Sequence, residues 1–223
     1  MAAATAQFID TDGDGTLEIV VGFGGSGGVE GATLDGRRLW QERSAGAVLD
    51  LAGGPFGDED RGLLCVTGAG RILPLSRPGK AGTPFAAGAW RLRSLATGPV
   101  APDGHWAAIG VAGTGVGHNV ALGIEDHGQV AWELPLADGV QREATLEPIA
   151  WANLLGTPRR QWLIAAPDGA VTVAWADGRV VDTYRHGAAI AGLGGYRHAG
   201  DGFIVIATRT TLEAFRMEDI ALD

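Results

Sequence analysis

At 223 residues the chain is long enough for one large domain or two small ones, and its 46% hydrophobic residues can bury a sizeable core. A formal net charge of −9 argues against nucleic acid and anionic membrane surfaces, both of which are met with a basic face. Glycine is the anomaly at 37 residues, far above an average usage of about 7%, and its aperiodic spread among short apolar runs excludes collagen and predicts many tight turns between short strands.

Taken in chain order, Met1-Ala2-Ala3-Ala4-Thr5-Ala6-Gln7 lacks the basic start and long apolar stretch of a signal peptide. This predicts a cytoplasmic protein, or an extracellular or periplasmic one whose leader has been removed. Residues 6–9 read as a first strand. Next comes Asp10-Thr11-Asp12-Gly13-Asp14-Gly15-Thr16-Leu17-Glu18, in which carboxylates alternate, glycines intervene and a fourth carboxylate closes the run. A hard cation such as Ca²⁺ takes six to eight oxygens at about 2.3–2.6 Å. Alternating aspartates on a tight loop can aim their oxygens at one centre, and glycine permits the positive φ angles such a loop needs. The expected ligands are the carboxylates of Asp10, Asp12, Asp14 and Glu18 with the backbone carbonyl of Thr16. The run is not an EF-hand, because the twelfth position, where that loop needs its bidentate Glu, is Val21. The competing reading is a solvated Asp/Gly turn.

Short apolar runs then recur at a long interval, beginning at Leu17, Leu63, Trp106, Trp162 and Phe203, roughly 45 residues apart. Each is apolar on both faces, as a strand inside packed layers should be. A second strand follows each run, at residues 31–34, 71–75, 120–124, 170–174 and 211–215. A turn and an aromatic strand come next in Asp35-Gly36-Arg37-Arg38-Leu39-Trp40, in His127-Gly128-Gln129-Val130-Ala131-Trp132, and in Asp177-Gly178-Arg179 leading to Tyr184; Trp90 takes this place in the second repeat. A further short apolar piece precedes each later run, at 47–51, 95–100, 149–155 and 190–193. Four strands per repeat of about 45 residues is the size of a β-propeller blade.

The calcium-type loop followed by Ile19-Val20-Val21-Gly22 resembles the FG-GAP repeat of integrin-type propellers. Ala32-Thr33-Leu34-Asp35-Gly36-Arg37-Arg38-Leu39-Trp40 also resembles the PQQ-like propeller repeat, in which a turn precedes a tryptophan docked between blades. The expected fold is all-β: one domain over residues 1–223, a propeller of about five four-stranded blades at approximately 1–44, 45–92, 93–134, 145–186 and 187–223. The outer strand of the last blade is short or missing. The ring either closes with five blades, the preferred reading, or forms an arc that a second chain completes, since such propellers usually carry seven or eight.

The remaining residues point to no chemistry. Cys65 lies in the apolar run Leu63-Leu64-Cys65-Val66 and reads as a small buried hydrophobe. His105, His118, His127, His186 and His198 follow no metal-ligand spacing and read as surface or turn residues. Ser26 matches a nucleophile elbow by letter but lacks the strand-to-helix setting. Asp58-Glu59-Asp60 has lost the alternation of the first loop, so no tight metal is expected there. Trp40, Trp90 and Trp132 are expected between blades, with a sugar-stacking platform as the alternative. The Gly-rich stretches 22–28 and 113–118 read as long loops on a binding rim. No run approaches the ~18 residues of a membrane span. These observations favour a non-catalytic, calcium-stabilised propeller that binds a protein partner or itself. The alternative is an enzyme or carbohydrate-binding propeller with its site, and a glycan, at the central funnel.

Overall fold

The apolar runs become the second strand of five successive antiparallel sheets. A computed structural model describes residues 2–56, 59–76, 79–100, 106–113, 118–125, 128–137, 148–157 and 159–217. Among them there is no helix, and so none that is long and apolar enough to cross a membrane. Sheet 1 is β1 (Ala3–Ile9), β2 (Glu18–Phe23), β3 (Gly28–Ala32) and β4 (Arg38–Glu42). Sheet 2 is β5 (Val48–Phe56), β6 (Glu59–Thr67), β7 (Ile72–Ser76) and β8 (Lys80–Ala81). Sheet 3 is β9 (Leu92–Pro99), β10 (Trp106–Gly113), β11 (Asn119–Ile124) and β12 (Val130–Leu136). Sheet 4 is β13 (Ile149–Ala152), β14 (Gln161–Ala165), β15 (Ala170–Ala174) and β16 (Val180–Arg185). Sheet 5 has three strands, β17 (Gly192–His198), β18 (Asp201–Ala207) and β19 (Leu212–Arg216). In every sheet the strands neighbour one another in chain order, as a meander requires.

One turn is built five times. Thr33, Thr67, Glu125, Ala166 and Trp175 each donate their N–H to the carbonyl four residues on and accept the N–H of the glycine three residues on. Those glycines, Gly36, Gly70, Gly128, Gly169 and Gly178, sit at φ between 73° and 87°, where a Cβ is disfavoured.

The core lies between the sheets. One buried cluster joins sheets 1 and 2 through Val20, Val29, Leu51, Leu63, Cys65 and Leu73. A larger one fills the space among sheets 2, 3 and 4 around Leu64, Ile72, Leu92, Ile109, Leu122 and Trp162. A third joins sheets 4 and 5 through Leu163, Val171, Ile190, Ile204 and Ile206. The first strands run side by side in the order β1, β5, β9, β13, β17, and no comparable packing returns from the fifth sheet to the first among the described residues. Hydrogen bonds across these junctions repeat the sequence period. The Gln7 amide donates to Leu51 O, the Thr97 hydroxyl to Gly53 O and the Trp132 indole to Ala176 O, each 44 residues away.

Two expectations change. Residues 22–28 do not form a long loop: β2 extends to Phe23 and β3 begins at Gly28, leaving a four-residue turn in which Gly27 is buried. Continued pairing of Phe23 with Gly28 satisfies backbone groups that a loop would leave to solvent. Trp90 does not occupy the fourth strand of sheet 2. Lys80–Ala81 pairs there instead, and Trp90 forms an isolated bridge with Ala87. Residues 114–117, within the second Gly-rich stretch, lie outside the described residues, as do Asp58, His105 and His127; the side chains of Glu59 and Asp60 are likewise not described.

Candidate metal centre

The acidic loop closes the β1–β2 hairpin, with Ile9 and Glu18 as its last paired residues. Their shared face turns towards sheet 2, which is why Glu18, a carboxylate, is only 3% exposed. Burial of a charge at that level requires partners. Thr11 supplies both: its N–H donates to Glu18 Oε2 at 2.6 Å and its hydroxyl at 2.8 Å. The aspartates shape the loop through their own backbone. Asp10 Oδ1 accepts the Gly13 N–H at 2.5 Å, and its Oδ2 accepts the Gly15 N–H at 3.2 Å. Asp12 Oδ1 accepts from Asp14 N at 3.2 Å, and Asp14 Oδ1 accepts from Thr16 N at 2.6 Å. Gly13 and Gly15, at φ 81° and 89°, make the reversals.

The result brings three of the four acidic side chains together. One carboxylate oxygen each from Asp10, Asp12 and Glu18 lies within 4.8 Å of the others. Two oxygens on opposite sides of a Ca²⁺ ion stand about 4.6–5.2 Å apart, so the set fits a hard cation in both donor type and spacing. Asp14 and Thr16 are exposed on the rim of the loop, with the Asp14 carboxylate turned to the Thr16 N–H. A cleft between sheets 1 and 2 opens beside the loop, lined by Asp10, Thr11 and Trp40 from sheet 1 and its hairpin and by Leu63, Leu75 and Ser76 from sheet 2.

The tryptophans sit at junctions. Trp40 packs on Gly31 of its own sheet and Gly79 of the next, and Trp132 packs on Gly123 and Gly178 in the same way. The Trp132 indole donates to Val100 O at 3.1 Å and Ala176 O at 2.9 Å, while that of Trp90 donates to Glu133 Oε1 at 2.8 Å. Cys65 is fully buried, and burial followed by the nearby Asp50 charge pushes its thiol up to about 12. His118 and His198 are exposed. His186 departs from the surface reading: its side chain is 10% exposed, its Nε2 lies 3.6 Å from Glu213 Oε1 and its ring stands edge-on to Phe215.

Two residues escaped the sequence reading. Thr11 stands between two aspartates and reads as a spacer, yet it anchors Glu18. Asp50 is the only acid in its apolar strand, and that isolation was the available signal. Its carboxylate accepts from the Thr5 hydroxyl at 3.2 Å, Leu51 N at 2.8 Å and Leu95 N at 2.9 Å, which ties together the first strands of three sheets. Burial outweighs these bonds and raises its pKa to about 6.

No protein-family model matches the chain, and no curated protein matches it. Solved structures do. BBS1N, solved in complex with ARL6DN, aligns with 98% of this chain over 68% of its own length at 11% identity and a TM-score of 0.61. BamB from Moraxella catarrhalis aligns with 96% of the chain over 60% of its own length, at 16% identity and a TM-score of 0.52. The Neurospora crassa Pan2 WD40 domain aligns with 97% over 65%, at 9% identity and a TM-score of 0.61. The chain thus spans 60–68% of the length of these neighbours. Identities this low speak for the fold alone, and they agree with the five meandering sheets: this chain is an all-β protein of β-propeller fold.

Proposed function

We propose that this chain is a non-catalytic β-propeller module of FG-GAP or PQQ-like type that binds another protein, with Ca²⁺ holding the first sheet in shape. The observation that carries the metal reading is the convergence of Asp10, Asp12 and Glu18 within 4.8 Å, with Glu18 buried and fixed by Thr11. Five ligands are assigned: the carboxylates of Asp10, Asp12, Asp14 and Glu18 and the carbonyl of Thr16. Asp14 joins by turning from the Thr16 N–H. Bound Ca²⁺ neutralises carboxylates that otherwise repel one another, and so fixes the β1–β2 hairpin against sheet 2. The interaction reading draws on the fold, since the neighbour BBS1N was solved in complex with ARL6DN. Residues 1–223 are read as one domain on the continuity of the cores between sheets.

Calorimetric titration with CaCl₂ and thermal melts in calcium or chelator test the metal. Calcium at about 100 times its dissociation constant stabilises the fold by about 2.7 kcal/mol. A melt indifferent to chelator and to Asp12→Ala leaves only an Asp/Gly turn. Affinity capture by the intact chain, with calcium and with chelator, tests the module: a partner identified by mass spectrometry that binds the calcium form and is lost from Asp12→Ala supports it.

A further inference from the structure

We infer that the two end sheets of the chain form a head-to-tail interface with a second copy of the same chain, through the outer face of sheet 5 on one copy and the outer face of sheet 1 on the other. The inference deepens the interaction reading and rests on it.

Both faces carry exposed apolar side chains that no other sheet covers among the described residues. Phe8 pairs with Ile19 and Ala6 with Val21 across β1 and β2, so these four residues share one face. It is opposite to the face carrying Ile9, Val20 and Val29, which is buried against sheet 2. Phe8 is 67% exposed. At the other end Tyr196 pairs with Phe203 and stacks on it, with ring centroids 5.1 Å apart and planes 10° from parallel. Val205 and Leu212 lie on the same face, with Tyr196 46% and Leu212 75% exposed. The buried residues Ile204 and Ile206 point the other way, into sheet 4.

What covers these faces is indicated by the chain's own junctions. At each one, the rear face of a sheet meets the front face of the sheet that follows, and at two of the four junctions a glycine in the first strand receives the neighbour's side chain. Gly54 takes Thr97 from sheet 3, and Gly98 takes Trp162 from sheet 4. Gly194 stands on the rear face of β17, and a Cβ there meets nothing within 4 Å. Sheet 5 therefore presents an unfilled socket and sheet 1 an unfilled knob, Phe8. They are of the same kind as the glycine and side-chain pairs that meet at the junctions of sheet 2 with sheet 3 and of sheet 3 with sheet 4. Charge does not oppose the meeting. Each face carries an ion pair of its own, Glu30 with Arg38 at 3.7 Å on sheet 1 and Asp201 with Arg216 at 3.5 Å on sheet 5, with His198 exposed beside the latter, although the chain as a whole carries −9.

A contact of this kind joins unlike surfaces, so each copy has one of each, and assembly grows until the rotation closes or the chains run out. The test uses the intact chain and two variants at exposed positions, Phe8→Lys and Leu212→Lys, checked for unchanged melting. Sedimentation equilibrium of the wild type shows mass rising with concentration from micromolar upwards. Each variant alone is monomeric, its association weakened by about 30-fold or more, as for a central apolar anchor. Mixed together, the two variants form a dimer containing one of each, because each retains the face that the other lacks. Gly194→Arg, which fills the socket without touching its own chain, behaves as Leu212→Lys does. A wild type that stays monomeric, variants that still self-associate, or a mixture that stays monomeric overturns the inference. A monomeric wild type that still captures a calcium-dependent protein partner overturns it while leaving the interaction module standing.

Discussion

Asp50 Oδ2 accepts the backbone N–H of Leu95 at 2.9 Å, 45 residues along the chain and in the next sheet. The same carboxylate reaches back to the Thr5 hydroxyl in the preceding sheet. Its pKa of about 6, against 3.8 for an ordinary Asp, has a definite sign in stability. Between pH 4 and 6 the unfolded chain has lost this proton and the folded chain keeps it. The Asp50 contribution to stability therefore falls as pH rises through that window, to a penalty of up to about 3 kcal/mol above pH 6, and no penalty remains below pH 4. Urea denaturation of wild type and Asp50→Asn at pH 4, 5, 6 and 7 checks this. The wild type loses ground relative to the variant as pH rises, and a constant difference contradicts it.

Thr11 offers a second handle. Thr11→Val removes the hydroxyl bond to Glu18 and leaves the backbone bond in place. A hydrogen bond to a charged group is worth about 1.5–3 kcal/mol, and the surviving bond puts the loss at the lower end of that range. Chemical denaturation measures the cost, and calcium titration of the same variant shows weakened binding because Glu18 is no longer held in place.

The indole of Trp132 lies against Gly123, where an added Cβ overlaps the ring. Gly123→Ala is expected to destabilise by about 1–3 kcal/mol through overpacking. Gly24→Ala, with its nearest neighbour 3.9 Å from the new Cβ, stays within about 0.5 kcal/mol, as surface substitutions do. Equal effects at the two sites in urea melts contradict the packed junction.

Cys65 is enclosed between sheets 1 and 2, and its thiol is pushed up to about 12. The thiolate is the reactive form. A disulfide reagent at pH 8 should therefore leave the native protein unlabelled and label it on unfolding. Prompt labelling of native protein rules out the packed cluster.

Much of the fold was legible because strands in the middle of packed sheets are apolar on both faces. Trp162-Leu163-Ile164-Ala165 and Ala170-Val171-Thr172-Val173-Ala174 announce themselves as buried strands, and both are. The Asp-Gly and His-Gly turns were legible for a related reason, since a glycine at positive φ leaves a local mark. Edge and first strands were harder. β1 opens on alanines interrupted by Thr5 and Gln7 and turns apolar only at Phe8 and Ile9, and β8 is two residues long, so their pairing depends on neighbours far along the chain. Trp90 misled for that reason: an aromatic after a turn fits the fourth-strand pattern, but Lys80–Ala81 reaches the edge of sheet 2 first. At the acidic loop the donors were visible as a spacing, whereas the anchoring of Glu18 by Thr11 depends on how the hairpin folds back. Asp50 could not be placed from sequence, because its three donors come from residues 5, 51 and 95.

Since the substantial packing between sheets, among the described residues, is between neighbours in the row, the molecule behaves as a short row of coupled units in which cooperativity passes from neighbour to neighbour. Every residue of β11 in the third sheet is buried, whereas β1 and β19 alternate exposed and half-covered positions. Amide hydrogen exchange should therefore be graded along the row. Protection peaks in the third and fourth sheets, where opening demands near-global unfolding, and declines towards both ends, where a single sheet can peel away without disturbing the rest.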